Sequence, residues 1–390
     1  MKPVITAITA SSLVTASFAA NPNALIPLFQ RERLSHSTER EQIRKRVHPR
    51  QIGQILDPLK SGGSFVAQVS LGTENFDLTL DTGSGDVWVV GSNVTCLGGD
   101  CNWGNTYDEQ SGNFQADGGT WSISYGSGGN TNTDSGYTGT ADVTLAGLTV
   151  TSQHIGVADK VTDPNFMGSI SGILGMGVAS STGFAPIMQT FIDQGVVDQP
   201  YFSLILSRDA SASGTGGYIT LGSLPALQDP RVNASSSYVT GPWEAAGGVD
   251  HPGYTTTFSS IQAGSSGSGI NTYAGVQYTI DNGNPGLDFP TATADAIAAL
   301  FDPPAQKSGS GYTVDCDATA PYLAFDIGGS VLPINPEDLI TGSGSQCSTP
   351  IFDNGNDNMG LGSPFLKNVL CVFDWGNQQL GFYSRPYYQS

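Results

Sequence analysis

Two aspartates stand at matched places in this chain, each at the end of a strand-like run. Phe76-Asp77-Leu78-Thr79-Leu80 alternates apolar and polar residues straight into Asp81, and Thr82-Gly83-Ser84-Gly85 then turns the chain. Two hundred positions on, Val276-Gln277-Tyr278-Thr279-Ile280 runs into Asp281, and Gly283 follows that acid by two residues, as Gly83 follows the first. One Asp-Thr-Gly is an ordinary Asx-type turn; its recurrence at a second strand end points to chemistry. Two carboxylates brought within about 3 Å cannot both ionise, so they share a proton and titrate as a pair. The ionised member deprotonates a water, while the protonated member hydrogen-bonds to the oxygen on which charge develops. Hydrolysis by this route needs neither a metal nor a covalent intermediate, and no cofactor is expected.

The residues for other hydrolytic mechanisms are not arranged for them. His36, His48, His154 and His251 are the only histidines and form no H-E-x-x-H zinc motif, and no G-x-S-x-G nucleophile elbow occurs.

Each aspartate has an apolar-apolar-Gly run downstream: Ile173-Leu174-Gly175 for the first, and Leu361-Gly362, with Gly360 in the first apolar place, for the second. Trp88, the run Trp121-Ser122-Ile123-Ser124-Tyr125-Gly126-Ser127-Gly128, and Phe365-Leu366-Lys367-Asn368-Val369 leading into Val372-Phe373-Asp374 complete the set. From about residue 62 to the end, these motifs in this order resemble the pepsin-like aspartic proteases. The resemblance implies an all-β, bilobal fold with a few short helices and pseudo-twofold-related lobes, each giving one catalytic residue, Asp81 or Asp281. It further implies that Thr82 bonds across to the opposite lobe and that Ser84 donates to the outer oxygen of Asp81. Tyr125, Gly126 and Ser127 would lie on a mobile hairpin that closes over an extended polypeptide substrate, with Trp88 supporting the tyrosine.

The second site departs from that pattern. Asn282 and Asn284 stand where hydroxyl residues are usual, Pro285 follows, and Asp288 occupies the place equivalent to Trp88. An amide still donates hydrogen bonds, so Asn282 is expected to span the lobes and Asn284 to reach Asp281, although each is longer and bulkier than a hydroxyl. Asp288 is expected to face solvent ahead of a helix from Thr291 to Phe301; unpaired beside the acids, it would instead raise their pKa values. The chain is therefore read as a working aspartic endopeptidase, with a weakened or inactive peptide-binding decoy on the same scaffold as the alternative.

At 390 residues the chain suits two domains or one large bilobal unit. Abundant Gly, few charges and short alternating runs of Thr, Ser, Val and Tyr also read as mostly β. Residues 1–50 hold eight Lys/Arg and three Glu, hence +5; with −19 overall, residues 51–390 carry −24. So acidic a body repels nucleic acid and anionic membranes and repels itself less in acid. Neither is expected as a partner, and the mature chain is read as a monomer. The five cysteines leave one over. The resemblance pairs Cys96 with Cys101 and Cys316 with Cys347, which implies an oxidising compartment. Cys371, between Leu370 and Val372, is expected to be a buried, inert thiol.

Along the chain, residues 1–20 read as a secretory signal peptide: Lys2, a moderately apolar Val4 to Ala20, and small residues at the cut, too short and polar for a membrane span. Residues 21–46 are basic, and the resemblance implies that they are a pro-segment, its end falling as late as about 55, with Arg44-Lys45-Arg46 expected as a processing site. Its positive strip can lie on the acidic body and loosen as carboxylates protonate. The N-terminal lobe covers 47–215 and the C-terminal lobe 216–390, with the sheet beginning at Phe65 and the junction within 210–217. A helix is expected from Phe184 to Gly195, and a hairpin tip at 263–269. Asn93 and Asn233 begin glycosylation sequons. The product is placed outside the cell, a vacuole-like compartment being the second choice.

Overall fold

The computed structural model describes residues 26–30 and 65–385, apart from 98–102, 111–112, 126–131, 163–169, 181, 208–215, 229–231, 244–252, 266–268, 343–345 and 356–358. The predicted signal peptide, the Arg44-Lys45-Arg46 site, the start of the N-terminal lobe, most of the junction, Cys101, Gly126 and Ser127 lie outside the described residues.

Alternating residues make the first acid strand. Phe65–Leu71 and Glu74–Asp81 form an antiparallel hairpin in which Val66 faces Thr79 and Val69 faces Phe76. Glu74–Asp81 also runs parallel to Gly172–Gly175, bringing Thr79 opposite Ile173 and Asp81 opposite Gly175. Val87–Cys96 closes on the far side of Gly172–Gly175 in the antiparallel sense. The second half repeats the device: Gln277–Ile280 runs parallel to Met359–Leu361, Thr279 opposite Gly360 and Ile280 opposite Leu361. Leu287 of Leu287–Phe289 then pairs antiparallel with Leu361. The apolar runs downstream of each aspartate are thus the parallel partners of the acid strands.

Strands of both halves are hydrogen-bonded together, giving the all-β, two-lobed architecture. Tyr201–Leu206 lies between Gly217–Leu221 and Val369–Asp374, which in turn pairs with Gln379–Ser384. Ile26–Gln30 joins this region to the first half, Ile26 opposite Ile219 on one side and Phe29 opposite Val66 on the other. The sheet therefore begins inside the predicted pro-segment rather than at Phe65. Five residues interrupted by Pro27 give no readable strand pattern on their own, because proline withholds a ladder donor.

The arm Gln115–Tyr125 pairs with Asn132–Leu145 until Tyr125 faces Asn132, which sets the tyrosine at the head of a hairpin. Ser260–Gly264 and Asn271–Ala274 flank the predicted tip as an antiparallel pair. Helices run over Ile187–Asp193, Thr291–Ala298 and Ser363–Leu366; the first two are shorter than the expected spans. Beneath the second acid strand, Tyr278 meets Phe258 and Phe325 edge-on with centroids 5.7 Å apart in both pairs. Cys316 and Cys347 are disulfide-bonded with 5.0 Å between Cα atoms, and Cys371 is buried.

One buried cation ties the shared strands together at the C-terminal end. Arg385 donates through Nε to the Val232 carbonyl at 2.8 Å and through Nη1 to the carbonyls of Leu206 and Lys367. Removing it strands three buried acceptors, so Arg385→Met is expected to lower stability by about 3 kcal/mol. Urea unfolding checks this: the midpoint should fall while the slope stays unchanged.

Candidate active site

The two acid turns face each other because neither carries a side chain at its centre. A β-carbon on Gly83 would lie 2.5 Å from the Asp281 carboxyl, and one on Gly283 would lie 2.7 Å from Asp81 Oδ1. Glycine at both places lets the two acids approach to within a mutual hydrogen bond. Each carboxyl also accepts the N–H two residues on: Gly83 to Asp81 Oδ1 at 2.8 Å, and Gly283 to Asp281 Oδ1 at 2.7 Å.

Behind the acids, Thr82 and Asn282 clasp each other's backbone. Thr82 Oγ1 donates to the Ile280 carbonyl at 3.0 Å and accepts the Asn282 N–H at 3.0 Å. Asn282 returns the arrangement with two atoms, Nδ2 donating to the Leu80 carbonyl at 2.7 Å and Oδ1 accepting the Thr82 N–H at 2.8 Å. Both side chains are buried. Asn282 thus spans the lobes with an amide that is donor and acceptor at once.

The electrostatics are not symmetric. Asp81 is 8% exposed; burial raises its pKa, opposed by the Ser84 hydroxyl, the Gly83 N–H and the bond to Asp281. Ser84 Oγ donates to Asp81 Oδ2 at 2.5 Å. The Asp281 pKa is also raised, by burial first and then by the charge of Asp81, against the Gly283 N–H bond and the nearby Asn284 N–H, which itself bonds the Asp281 main-chain carbonyl at 3.2 Å. Both carboxyls are raised by burial, so the pair holds a proton, and the Ser84 hydroxyl bond favours the ionised form of Asp81.

Over this pair, Trp88 Nε1 donates to the Tyr125 hydroxyl at 2.9 Å, and Ser84 lies within hydrogen-bond reach of the same phenol. Burial and the Asp81 charge hold that phenol neutral, so it can donate. The tip residues Gly126 and Ser127 remain outside the described set.

Two expectations at the second site need correction. The Asn284 side chain does not reach Asp281: its Nδ2 donates to Asp288 Oδ2 at 3.1 Å, and its Oδ1 accepts the Gly286 N–H at 2.7 Å. The amide is long enough to bond forward along its own turn, and only its backbone N–H serves Asp281. Asp288 does not simply face solvent either. It is half-buried, accepts the Gly360 N–H at 2.9 Å, and has its pKa pushed up to about 6 by burial. The alternation Leu287-Asp288-Phe289 does turn Asp288 away from the apolar core, but the opposite face is covered by the neighbouring strand and turn.

Other contacts carry no sequence signal. Ser363 Oγ donates to the Asn282 carbonyl at 3.0 Å from a Gly-Ser-Pro run that reads only as a helix start. Tyr254 donates to the Met176 carbonyl at 2.7 Å across 78 residues and accepts from Trp375 Nε1 at 2.8 Å. Of the predicted glycosylation sites, Asn93 is exposed, whereas Asn233 is half-buried with φ at +43°. The Cys96–Cys101 pairing turns on a residue outside the described set.

The chain also matches known proteins over most of its length. It is 32% identical over 352 residues to a probable aspartic-type endopeptidase of Aspergillus fumigatus, covering 82% of this chain and 78% of that one. Rhizopuspepsin-2 of Rhizopus niveus is 32% identical over 325 residues, covering 80% and 76%. Syncephapepsin of Syncephalastrum racemosum is 30% identical over 325 residues, covering 80% and 75%. The family model for eukaryotic aspartyl proteases matches residues 64–384, which contain both acid turns, the clasp and the hairpin arm. This chain belongs to the eukaryotic aspartyl protease family.

Proposed function

We propose that the chain is a secreted endopeptidase that hydrolyses extended polypeptides in acid, with Asp81 and Asp281 activating a water between them. The observation that carries the proposal is the close approach of the two acids across facing turns, where a β-carbon on Gly83 would stand 2.5 Å from the Asp281 carboxyl and one on Gly283 2.7 Å from Asp81 Oδ1. Ionised Asp81 takes a proton from water as its oxygen attacks the scissile carbonyl, and Asp281 gives its hydrogen bond, then its proton, to the carbonyl oxygen. The tetrahedral diol collapses as the leaving nitrogen takes the proton from Asp81 and Asp281 recovers one from the diol. Thr82, Ser84, Asn282 and the two glycines fix the carboxyls. Tyr125, held by Trp88, with Gly126 and Ser127 beyond it, closes on the peptide and excludes water.

The Cys316–Cys347 disulfide and the predicted leader support export to an oxidising compartment. No described helix is long and apolar enough to cross a membrane. Residues 21–46 are read as the pro-segment that acid releases, and the mature protein as a monomer carrying glycans at Asn93 and Asn233. One observation favours the second reading, a peptide-binding protein with little turnover: Asn284 gives Asp281 no side-chain donor comparable to Ser84.

The deciding experiment holds purified precursor at about pH 4, where carboxylates neutralise and a basic segment loosens, and then measures protein hydrolysis with and without a transition-state-mimicking inhibitor. Asp81→Asn and Asp281→Asn should each lower kcat about 10²- to 10⁴-fold, the range of general acid–base catalysis. Peptide binding with no inhibitable cleavage by the wild type would favour the decoy.

The raised carboxyl pKa values also fix the sign of the stability profile. Between the ordinary carboxylate value and the raised one, the folded chain binds more protons than the unfolded chain, so stability falls as pH rises through that window. Thermal unfolding should therefore occur at a higher temperature near pH 4 than near pH 7, and Asp281→Asn should narrow the gap, mainly by stabilising the protein near neutrality.

The clasp can be tested apart from the acids. Asn282→Ala leaves the Thr82 N–H and Leu80 carbonyl buried without their partner, at an expected cost of about 2–4 kcal/mol in denaturant unfolding.

A further inference from the structure

We propose that Asp288, Asn284 and Gly360 form one unit that positions Asp281, with Asp288 as its anchor. This rests on the reading of Asp281 as half of the acid pair. Apart from Asp81, the hydrogen bond to its carboxyl among the described residues comes from the Gly283 N–H at 2.7 Å, with the Asn284 N–H close by and bonding the Asp281 main-chain carbonyl at 3.2 Å. Asp281 therefore takes its orientation from the backbone of the turn rather than from a hydroxyl.

The Asn284 side chain braces that turn. Its Oδ1 holds the Gly286 N–H at 2.7 Å, while its own carbonyl accepts the Ser363 N–H at 2.9 Å. Its Nδ2 reaches Asp288 Oδ2 at 3.1 Å, and the same oxygen takes the Gly360 N–H at 2.9 Å. Asp288 thereby fastens the turn to Met359–Leu361, the strand whose Leu361 carbonyl already accepts the Asp281 N–H at 3.1 Å. The turn is pinned to neighbouring residues of one strand, by the N–H of the acid itself at its start and by Asp288 beyond it.

The three residues also fit only as a set. A β-carbon on Gly360 would stand 2.4 Å from Asn284 Nδ2 and 2.9 Å from Asp288 Oδ2. The strand registers make the comparison between halves direct: Thr79 faces Ile173, and Thr279 faces Gly360. At corresponding places the first half has Ser84, Trp88 and Ile173, and the second has Asn284, Asp288 and Gly360. Where a hydroxyl holds the first acid directly, the second half substitutes an amide, a carboxyl to hold the amide, and a glycine that admits both.

The test compares wild type with Asp288→Ala, Asp288→Asn, Gly360→Ala and the Asp288→Ala/Asn284→Ala double variant. It measures kcat, KM, thermal stability, and affinity for a peptide whose scissile carbonyl is replaced by a secondary alcohol, a group able to bond both acids. Asp288→Ala and Gly360→Ala should lower kcat about tenfold with KM within about twofold, and weaken the alcohol peptide about tenfold. Asp288→Asn keeps an acceptor oxygen for both donors and should recover most of the loss. The double variant should be no worse than Asp288→Ala alone, since the two residues act as one. Wild-type kcat and alcohol affinity in folded Asp288→Ala, or loss of stability alone, would overturn the proposal. Binding of the alcohol peptide reads the same geometry where turnover is slow. Full activity in Asp281→Asn would instead overturn the underlying reading, so the two failures are distinguishable.

Discussion

Four buried hydrogen bonds between Thr82, Asn282 and the carbonyls of Leu80 and Ile280 hold the two acid strands at one separation. Everything at the centre inherits its position from that clasp. Each partner is buried, so a broken bond leaves a polar group with no water to replace it, and the arrangement is stiff. Glycine on both turns then allows the carboxyls to meet, and their meeting forces the sharing of a proton. The usual hydroxyl on the second side is absent, but an amide meets the same demand because it donates and accepts from adjacent atoms. Its larger volume is accommodated because it points along the bond direction, toward Leu80, rather than into the aromatic core under Tyr278.

The acid strands and their pairing partners correspond between the halves, but their support differs. Asp81 receives a short hydroxyl bond; Asp281 receives backbone donors and the repulsion of its partner. The Ser84 bond favours the ionised form of Asp81, in keeping with the base role proposed for it. Proximity alone keeps one proton on the pair across a wide pH range, and the unequal hydrogen bonding biases where that proton sits. The weaker side is also the one with the unusual turn, where a second carboxyl with its pKa pushed up to about 6 takes part in the bracing.

Much of this was legible in the chain. The two-hundred-residue offset, the strand runs into each aspartate and the downstream apolar runs follow from residue types and spacing, Trp88 with Tyr125 from the family resemblance, and the family match covers the same stretch. The illegible parts depend on partners distant in sequence. The direction of the Asn284 side chain is decided by whether residue 360 leaves room for it, and no local pattern states that. Asp288 looked outward because alternation gives the face of a residue without saying what covers that face. Ile26–Gln30 gave no strand pattern because Pro27 breaks the pattern that neighbouring strands then complete.

The titrating groups outside the acid pair bound the same range of pH from the other side. Lys307 bonds Asp295 at 3.0 Å and Asp353 at 2.7 Å, joining the Gln306–Ser308 strand to the helix Thr291–Ala298 and to Ile351–Asp353. Lys307, with Thr291 and the Gly355 N–H, lowers the Asp353 pKa to about 2. A depressed carboxyl contributes stability above its unfolded value and loses it only as pH falls through the folded one, so this surface link persists in acid. Asp288 and the acid pair work in the opposite sense, losing their contribution as pH rises toward neutrality. The acidic body adds self-repulsion in that same direction, since it carries most of its charge above the carboxylate range. Burial of these carboxyls and the self-repulsion of the acidic body thus both favour the fold in acid, the range proposed for the chemistry.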